Sequence, residues 1–345
     1  MNVRLNNEES EQNGKMTIGD VAEALGVSKT TVSRAISGKG RIGEQTRQRV
    51  IEYINKHNFT PNAIAKSLAQ SRTFNIGWVM PGDCTLAELP FFNNCLWGVS
   101  ETASALQYDI LVSMVNGSDI GQLERAVTNN KIDGVILSRT VENDAAAQYL
   151  MEMKIPVITI GQSEIKGILQ IDNDHKAACR ELTSLLILKG IKNMGLIGGN
   201  HTHIVTKKRL NGFMQAYEDA GIPIKKDNIY LDVENQVRTE KVVEELLSKD
   251  VDCIVCMDDS ICMHALNKLK KENISVPDDI MVASFYNSVF LESYSPSVST
   301  LAFDAVALGR EACRTLVDYI DGKEVPQKTL LGYDIILKES TLIKH

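Results

Sequence analysis

Hydrophobic positions follow two different periodicities along this chain. Between residues 17 and 57, apolar residues recur every three to four positions, which is typical of amphipathic helices. From Ile76 onward, short apolar runs such as IGWVM, IDGVILS and VDCIVCM alternate with helical segments. That alternation predicts parallel β-sheets whose crossover connections are helices. We therefore expect a small all-α domain followed by a larger α/β region.

The first two predicted helices form a helix-turn-helix. Thr17 caps the first helix, Asp20 completes an acidic variant of the capping box, and Gly26 ends the helix. Ser28 is placed to cap the second helix. The positions predicted to face inward are Ile18, Val21, Ala22, Leu25, Val32, Ala35 and Ile36. The opposite face of the second helix is small, polar and cationic, which suits insertion into the major groove of DNA.

A third helix and a short helical segment follow. The third helix is predicted over residues 44–55, with Val50, Ile51 and Ile54 facing inward. Pro61, preceded by a threonine, then provides the start of a helix of about nine residues, shorter than the roughly 12–15 residues at which an isolated helix becomes marginally stable. We expect this segment to become ordered only against DNA and a second copy of itself.

The α/β region contains an internal repeat. Ile76 corresponds to Met194 at an offset of 118 residues, and Asp133 corresponds to Asp252 at an offset of 119. Each copy alternates strands with helices, so each predicts one lobe built on a parallel sheet. Two such lobes with a crevice between them make a ligand-binding clamp.

Charge is distributed unevenly between these regions. Residues 1–75 contain 11 Lys and Arg against 7 Asp and Glu, a net +4, whereas the rest of the 345-residue chain, with 26 against 37, carries −11. A basic amino-terminal module on an acidic body is typical of a modular DNA-binding protein. No apolar run approaches the roughly 18–20 residues that span a bilayer, and the first 14 residues lack the apolar core of a signal peptide. We expect a disordered tail over residues 1–14 in a cytoplasmic, nucleoid-associated protein with no membrane partner.

The sequence favours no catalytic residue, no metal and no cofactor. It lacks a G-x-S-x-G elbow, a Walker A loop and a G-x-G-x-x-G after a strand, which disfavours an α/β dehydrogenase or hydrolase. Cys253 and Cys256 lie three apart in a strand-like run and are expected on opposite faces of a sheet. His201 and His203 form an H-x-H without further ligands, which is more typical of a polar loop than of a metal site.

The segment TIGDVAEALGVSKTTVSR at residues 17–34 resembles the LacI family of bacterial transcription repressors, and it departs from the family chiefly at Leu25, where alanine is usual. The resemblance continues through TRQRV, FTPN and AKSL and extends toward the carboxyl terminus. It implies a multidomain fold, with an all-α helix-turn-helix DNA-binding domain and a two-lobed α/β periplasmic-binding-protein-like domain with parallel sheets. In this family the chain crosses between the lobes three times. The implied boundaries are a helix-turn-helix domain at 15–60, a hinge helix and linker at 61–73, and an effector-binding and dimerisation domain at 74–345.

The same resemblance implies three groups of DNA-contacting residues. Bases would be read by Lys29, Thr30 and Arg34. Phosphates would be contacted by Thr17, Ser28, Thr31, Ser33 and Ser37. Hinge contacts would come from Asn62, Ala65 and Leu68. In the family, the hinge helices of two subunits pair in the minor groove, where Leu68 would wedge into the central base step.

The implied effector pocket is only partly preserved. The family motifs R-L-x-G-F and P-F-F are present, and they supply Arg209, Phe91 and Phe92. Asp258 stands where the family has an amide, Tyr286 where it has a ligand-gripping carboxylate, and Glu234 where an aromatic residue often stacks on a sugar. These departures make an ordinary neutral hexose less expected and leave two alternatives, which are a cationic or amine-bearing ligand and the loss of ligand control.

The sequence therefore predicts a transcription regulator, a repressor that binds a pseudo-palindromic DNA operator as a homodimer. A small-molecule effector in the interlobe cleft, a carbohydrate or related metabolite, would control DNA binding. The absence of a heptad extension at the carboxyl end favours a dimer over a tetramer. Two alternatives remain, a global regulator with a protein corepressor or no small effector, and a solute-binding protein, which the helix-turn-helix and the missing signal peptide disfavour.

Overall fold

The structure of the protein is a computed structural model. It describes residues 16–37, 40–57, 72–84 and 89–342, without the side chains of Ser37 and Leu89. Two compact units are present, one ending at Arg72 and the other beginning at Thr73. The predicted tail and the predicted hinge contacts lie outside the described residues, namely residues 1–14, Asn62, Ala65 and Leu68.

The first unit is a three-helix bundle of α1 (Ile18–Leu25), α2 (Lys29–Ser37) and α3 (Glu44–Lys56). Its core consists of Val21, Ala22, Val32, Ala35 and Val50, against which Ile18, Leu25, Ile36, Tyr53 and Ile54 pack. The inward faces predicted for α1 and α2 are confirmed. The prediction that Ile51 faces inward is wrong: α3 packs through Val50, Tyr53 and Ile54, which leaves Ile51 38% exposed.

The second unit is built on two six-stranded sheets. In chain order the strands are β1 (Asn75–Pro81), β2 (Asp109–Val115), β3 (Gly134–Leu137), β4 (Val157–Ile160), β5 (Leu169–Asn173), β6 (Met194–Ile197), β7 (Ile229–Tyr230), β8 (Cys253–Cys256), β9 (Met281–Ser284), β10 (Ser299–Ala302), β11 (Lys328–Leu331) and β12 (Asp334–Ile336). The helices between them are α4 (Leu89–Ala105), α5 (Gly121–Thr128), α6 (Ala145–Glu152), α7 (His175–Leu188), α8 (Ile204–Asp219), α9 (Gln236–Leu247), α10 (Asp259–Lys271), α11 (Val289–Glu292) and α12 (Ala305–Ile320).

The two sheets have matching strand orders, which confirms the predicted pair of α/β lobes. The first sheet runs β11-β5-β4-β3-β1-β2 and is entirely parallel. The second runs β12-β10-β9-β8-β6-β7 and is parallel except for β12 against β10. The chain passes between the lobes after β5, after β10 and after β11. We call the lobe of the first sheet, with α4–α6 and α12, the N-terminal lobe, and the other the C-terminal lobe.

Glycines permit an unusually close approach of helices in both lobes. In the N-terminal lobe, α4 and α12 cross so closely that a Cβ on Gly98 would lie 2.0 Å from the carbonyl oxygen of Val306. In the C-terminal lobe, a Cβ on Gly212 would lie 2.4 Å from the carbonyl oxygen of Lys176, at the crossing of α7 and α8. The glycine of the R-L-x-G-F motif is therefore required by packing, whereas its arginine lies in the cleft.

The β8 cysteines belong to two different layers of the C-terminal lobe. Cys253 packs against α7 and α8 residues such as Leu182 and Phe213, and Cys256 packs on the opposite side with Val242 and Leu266. Their placement on opposite faces is as predicted, and burial raises the pKa of both thiols. Among the described residues, no helix has the length and apolar character needed to span a bilayer.

Candidate DNA-reading surface and interlobe cleft

Local hydrogen bonds cap the start of α1 and the start of α2. The Thr17 hydroxyl accepts from the Asp20 backbone N–H at 3.3 Å, and the Asp20 carboxylate accepts from the Thr17 backbone N–H at 2.7 Å. The bond from the Thr17 backbone N–H, with a second from the Thr17 hydroxyl at 2.9 Å, holds the pKa of the exposed Asp20 carboxyl below its ordinary value. Gly26 takes the left-handed conformation, with φ at 64°, and the Ser28 hydroxyl accepts from the Thr31 backbone N–H at 3.1 Å. The predicted capping box and caps are thus present.

The outer face of α2 is a polar and cationic surface. Its exposed side chains are Lys29, Thr30, Ser33 and Arg34. Gly40, with φ at 87°, lies against Arg34, since a Cβ at this position would be 3.2 Å from the arginine Cδ. Thr17 and Ser28 are also exposed, while Thr31 is half-buried. The predicted DNA contacts within the described part of this unit therefore lie at its surface, apart from Ser37, whose side chain is not described.

A cavity of about 530 Å³ lies between the two lobes of the second unit. All six predicted effector-binding residues line it, which are Phe91, Phe92, Arg209, Glu234, Asp258 and Tyr286. Further lining residues escaped prediction, among them Asp83, Arg139, Asp172, His175, His203 and Asp259. The volume is within the range of pockets that hold metabolite-sized ligands.

Arg209 is the central cation of the cavity. It projects from α8, is only 9% exposed, and donates through Nη1 to the carbonyl oxygen of Met257 at 2.5 Å. Among the described residues, no hydrogen-bond acceptor contacts the Arg209 Nε. None of the described carboxylates lies within ion-pair distance of the Arg209 guanidinium. Because burying an uncompensated donor is costly, this guanidinium is prepared for oxygen atoms of a bound molecule.

Tyr286 turns one wall of the cavity into an aromatic surface. Its ring stacks on Phe303, with 6.3 Å between centroids and 18° between planes, and meets the edge of Phe91 at 6.1 Å. The Arg209 guanidinium lies 5.9 Å from the centre of the same ring. Burial raises the pKa of the Tyr286 phenol, which therefore stays protonated and offers a hydroxyl group rather than a charge.

The cavity carboxylates have different environments. Asp258 is the N-cap of α10, and one of its oxygens accepts from the Ile261 backbone N–H at 2.8 Å. Burial raises the pKa of the Asp259 carboxyl. Glu234 is exposed at the edge of the cavity. Because the Asp258 carboxylate already caps α10, its presence in the cavity is weaker support for the predicted cationic ligand.

His175 begins α7 at the first passage between the lobes. It is 8% exposed, and burial lowers its pKa, so the ring is neutral near pH 7. Its Nε2 faces Asp172 at 3.5 Å, while Nδ1 has no hydrogen-bond partner among the described residues. A neutral imidazole whose Nε2 is protonated toward a carboxylate presents Nδ1 as an acceptor.

Residues 140–142 and 202–207 form a bridge between the lobes beside the cavity. The Glu142 backbone N–H donates to Thr202 at 3.0 Å, and the Ile204 backbone N–H donates to Thr140 at 3.3 Å. Glu142 and Lys207 form an ion pair across the same junction. We call this the interlobe bridge; it joins the lobes independently of the three chain passages.

Because His203 of the interlobe bridge is largely buried, we expect the free energy of unfolding to depend on pH. Burial, assisted by Arg139, lowers its pKa from 6.5 to about 4. In the unfolded chain, His203 therefore binds a proton as the pH falls below about 6.5. In the folded protein it does so only near pH 4. Between these two values the free energy of unfolding decreases as the pH falls. One such group adds a slope of at most about 1.4 kcal/mol per pH unit.

Urea unfolding at pH 7, 6 and 5 measures this slope. His203→Asn is expected to lose stability less steeply than the wild type as the pH falls. His201→Asn is the matched control, because His201 is exposed in the same loop. Equal slopes for the two variants would contradict the burial of His203 at the lobe junction.

Residues of the cavity that escaped prediction share one property. Asp172 lies near the end of β5 and His175 just beyond it, at a passage between the lobes, and Arg139 follows the end of β3, where it pairs with Asp83 at 2.6 Å. Ligands of open parallel sheets bind at the carboxyl ends of the strands. This rule, applied to the predicted strands, could have indicated these cavity residues. In the portion of the chain that the structure describes, no three His, Cys, Asp or Glu side chains are grouped to hold a metal ion.

Comparisons with known proteins place both units in one family. The model described as "Bacterial regulatory proteins, lacI family" matches residues 17–62, and the "Periplasmic binding protein-like domain" model matches residues 183–341. The HTH-type transcriptional regulator MalR of Streptococcus pneumoniae is 30% identical over 338 residues, which cover 94% of this chain and 99% of the relative. The chain belongs to the LacI family.

Solved structures of transcription regulators share the fold. A transcriptional regulator CelR–cellobiose complex is 26% identical, with a TM-score of 0.70 over 94% of this chain and 99% of that one. The lac repressor dimer bound to operator and the anti-inducer ONPF has a TM-score of 0.77 at 21% identity, covering 95% and 99% of the two chains. This LacI-family chain is a DNA-binding transcription regulator, and the named relatives are regulators rather than enzymes.

Proposed function

We propose that this protein binds a pseudo-palindromic operator as a homodimer and represses transcription under the control of a small molecule in the interlobe cleft. The observation that carries this proposal is the cavity of about 530 Å³ in which Arg209 is buried without an acceptor for its Nε among the described residues. A ligand that touches both lobes stabilises one relative position of the lobes over others. The affinity for DNA then changes by the coupling between the two sites.

The ligand class we propose is a carbohydrate or a related polyhydroxylated metabolite. Arg209 supplies donors, Asp172 and Asp259 supply acceptors, and the rings of Phe91 and Tyr286 supply an apolar surface for one face of a ring. Donors and acceptors around an aromatic wall suit a molecule with many hydroxyl groups and one flat apolar face. An amine-bearing sugar or a polyamine is the alternative, since more carboxylates than cations line the cavity.

The proposed homodimer has support from exposed apolar side chains on both lobes. On the N-terminal lobe, Trp97 is 65% exposed, and Val112 and Met114 lie exposed on β2 at the edge of its sheet. On the C-terminal lobe, Val289 and Phe290 are 76% and 58% exposed. Apolar groups of this kind are expected at subunit contacts. A two-fold pair would present two reading helices to two half-sites.

One experiment tests the proposal as a whole. The full chain is used to select duplexes from a random DNA pool, and the ligands are then screened by calorimetry against a panel of neutral disaccharides, amino sugars and polyamines. We expect a two-fold symmetric selected sequence and binding of at least one panel member. Selection of an asymmetric sequence would contradict the dimer, and binding of only polyamines would replace the carbohydrate class. Failure of the whole panel would favour a protein corepressor or no small effector.

The hinge hypothesis concerns Leu68, which lies outside the described residues. Leu68→Gly is expected to weaken binding to the selected duplex by about tenfold, because an inserted apolar wedge stabilises the kinked DNA. Binding of the cleft ligand should stay nearly unchanged. Fluorescence anisotropy with labelled duplex measures the first quantity and calorimetry the second. Wild-type DNA affinity in this variant would refute the wedge.

A further inference from the structure

The carboxylate of Asp133 holds the first residues of the α/β unit. One oxygen accepts from the Thr73 backbone N–H at 2.7 Å and from the Thr73 hydroxyl at 2.8 Å, and the other accepts from the Phe74 backbone N–H at 2.8 Å. Three hydrogen bonds to an ionised acceptor make this a strong attachment. We call these contacts the Asp133 clamp.

The clamp lies where the chain enters the second unit. Thr73 is its first residue and is bonded directly to Arg72, the last residue of the DNA-binding unit. Phe74 has φ at 58°, a left-handed conformation that is unfavourable for a large side chain and persists only when its surroundings hold it. Its carbonyl accepts from the Asp109 backbone N–H at 2.8 Å, and its ring packs on Tyr108. The path of the chain at this point is therefore determined by the core.

A single strand joins the clamp to the cleft. Asp133 immediately precedes β3, and the residues immediately after β3, Ser138 to Thr140, line the cavity and lead into the interlobe bridge. β3 is fully buried and pairs with β1 and β4 on its two sides. β3 thus places Asp133 and the cavity residues Ser138 to Thr140 at the two ends of one buried, paired strand.

The internal repeat contains an equivalent aspartate, Asp252, in the C-terminal lobe. Asp252 accepts from the Asn193 backbone N–H at 2.9 Å and from the Lys192 backbone N–H at 3.3 Å, just before β8. The residues that it holds follow α7 within the C-terminal lobe. The two aspartates therefore share a structural task, but only Asp133 holds the chain that leads to the DNA-binding unit.

We propose that Asp133 is a positioning residue for DNA recognition, through which the N-terminal lobe fixes the origin of the chain that carries the reading helices. This inference rests on the proposed dimeric function. Two reading units match two half-sites only if their attachment points are held at a defined separation. Binding to unrelated DNA depends mainly on phosphate contacts and lacks this requirement.

The test compares Asp133→Asn with Asp252→Asn in the full chain without ligand. Asp133 accepts through both oxygens, so Asp133→Asn sets an amide N–H2 against a backbone donor, whereas Asp252 accepts through Oδ2 alone and Asp252→Asn keeps a carbonyl acceptor there. We therefore expect a larger fall in melting temperature for Asp133→Asn, and DNA binding is measured well below the melting temperatures of both variants. For Asp133→Asn we expect about tenfold weaker binding to the duplex selected by the wild type and unchanged binding to a random duplex. For Asp252→Asn we expect both affinities within about twofold of the wild type.

Two outcomes would overturn the proposal. One is an equal loss of specific binding in both variants, which assigns the effect to stability alone. The other is wild-type specific binding in Asp133→Asn. Neither depends on a cleft ligand, so failure of the ligand screen bears on the proposed effector control and leaves this comparison intact.

Discussion

Gly98→Ala and Gly309→Ala are each expected to destabilise the second unit by about 3 kcal/mol, the upper end of the usual cost of overpacking. An added Cβ would lie 2.0 Å from the Val306 carbonyl oxygen at Gly98 and 2.0 Å from the Cys95 carbonyl oxygen at Gly309. Both obstacles are backbone atoms, which cannot move aside as the end of a flexible side chain can. Helices α4 and α12 would have to separate, and contacts throughout the N-terminal core would loosen.

Gly332→Ala provides a matched control. A Cβ added to this glycine would have no atom of the described residues within 4 Å, and its backbone is outside the left-handed region. Urea unfolding should show it within about 0.5 kcal/mol of the wild type. If Gly98→Ala unfolds at the same urea concentration as Gly332→Ala, the helix crossing is not as close as described.

The double variant Lys29→Ala, Thr30→Ala is expected to weaken binding to the selected duplex by about 100-fold. Both side chains are exposed at the start of α2, beside the capped turn that orients this helix. Loss of a base contact costs roughly 1–3 kcal/mol, and the two contacts would be lost together. The base preference of the half-sites should relax in a repeated selection, while the fold is retained because neither residue belongs to the core.

Lys56→Ala removes the same charge from the same unit and serves as the control. Lys56 is exposed in the last turn of α3, whereas the candidate base-reading positions belong to α2. We expect its effect to be small and equal on selected and random duplexes, as for a phosphate contact or none. If the double variant loses affinity equally for both kinds of DNA, its residues contact phosphates and do not read bases.

Local features of this protein were predictable from the sequence because short-range chemistry decides them. The capping box of Thr17 and Asp20, the left-handed Gly26 and the inward Val32 depend on residues within one or two helical turns. Ile51 was misassigned because helical periodicity alone does not define which part of an apolar stripe faces the neighbouring helices. The internal repeat likewise predicted two lobes, because each copy is a complete sheet-forming unit.

The sequence predicts cleft residues only at positions that align with the motifs of the family. Arg209 and the Phe91–Phe92 pair belong to motifs. Asp172 and His175 instead reach the cleft at a passage of the chain between the lobes, and Arg139 reaches it at the end of β3. Strand β11 joins the first sheet although it follows the whole second repeat, an arrangement that periodicity does not reveal. The Arg209 Nε has no acceptor among the described residues. Tertiary packing decides this, because it depends on which groups surround the side chain.

The proposed control mechanism is a coupling between occupancy of the interlobe cleft and the affinity for DNA. Its most direct test is the dissociation constant of the full chain for its selected duplex, measured across a titration with the panel member that calorimetry shows to bind. We expect a change of about tenfold or more at saturation, corresponding to a coupling of about 1.4 kcal/mol, and no change in an Arg209→Ala variant that no longer binds the ligand. A ligand that saturates the cleft while the affinity for DNA stays constant would contradict it.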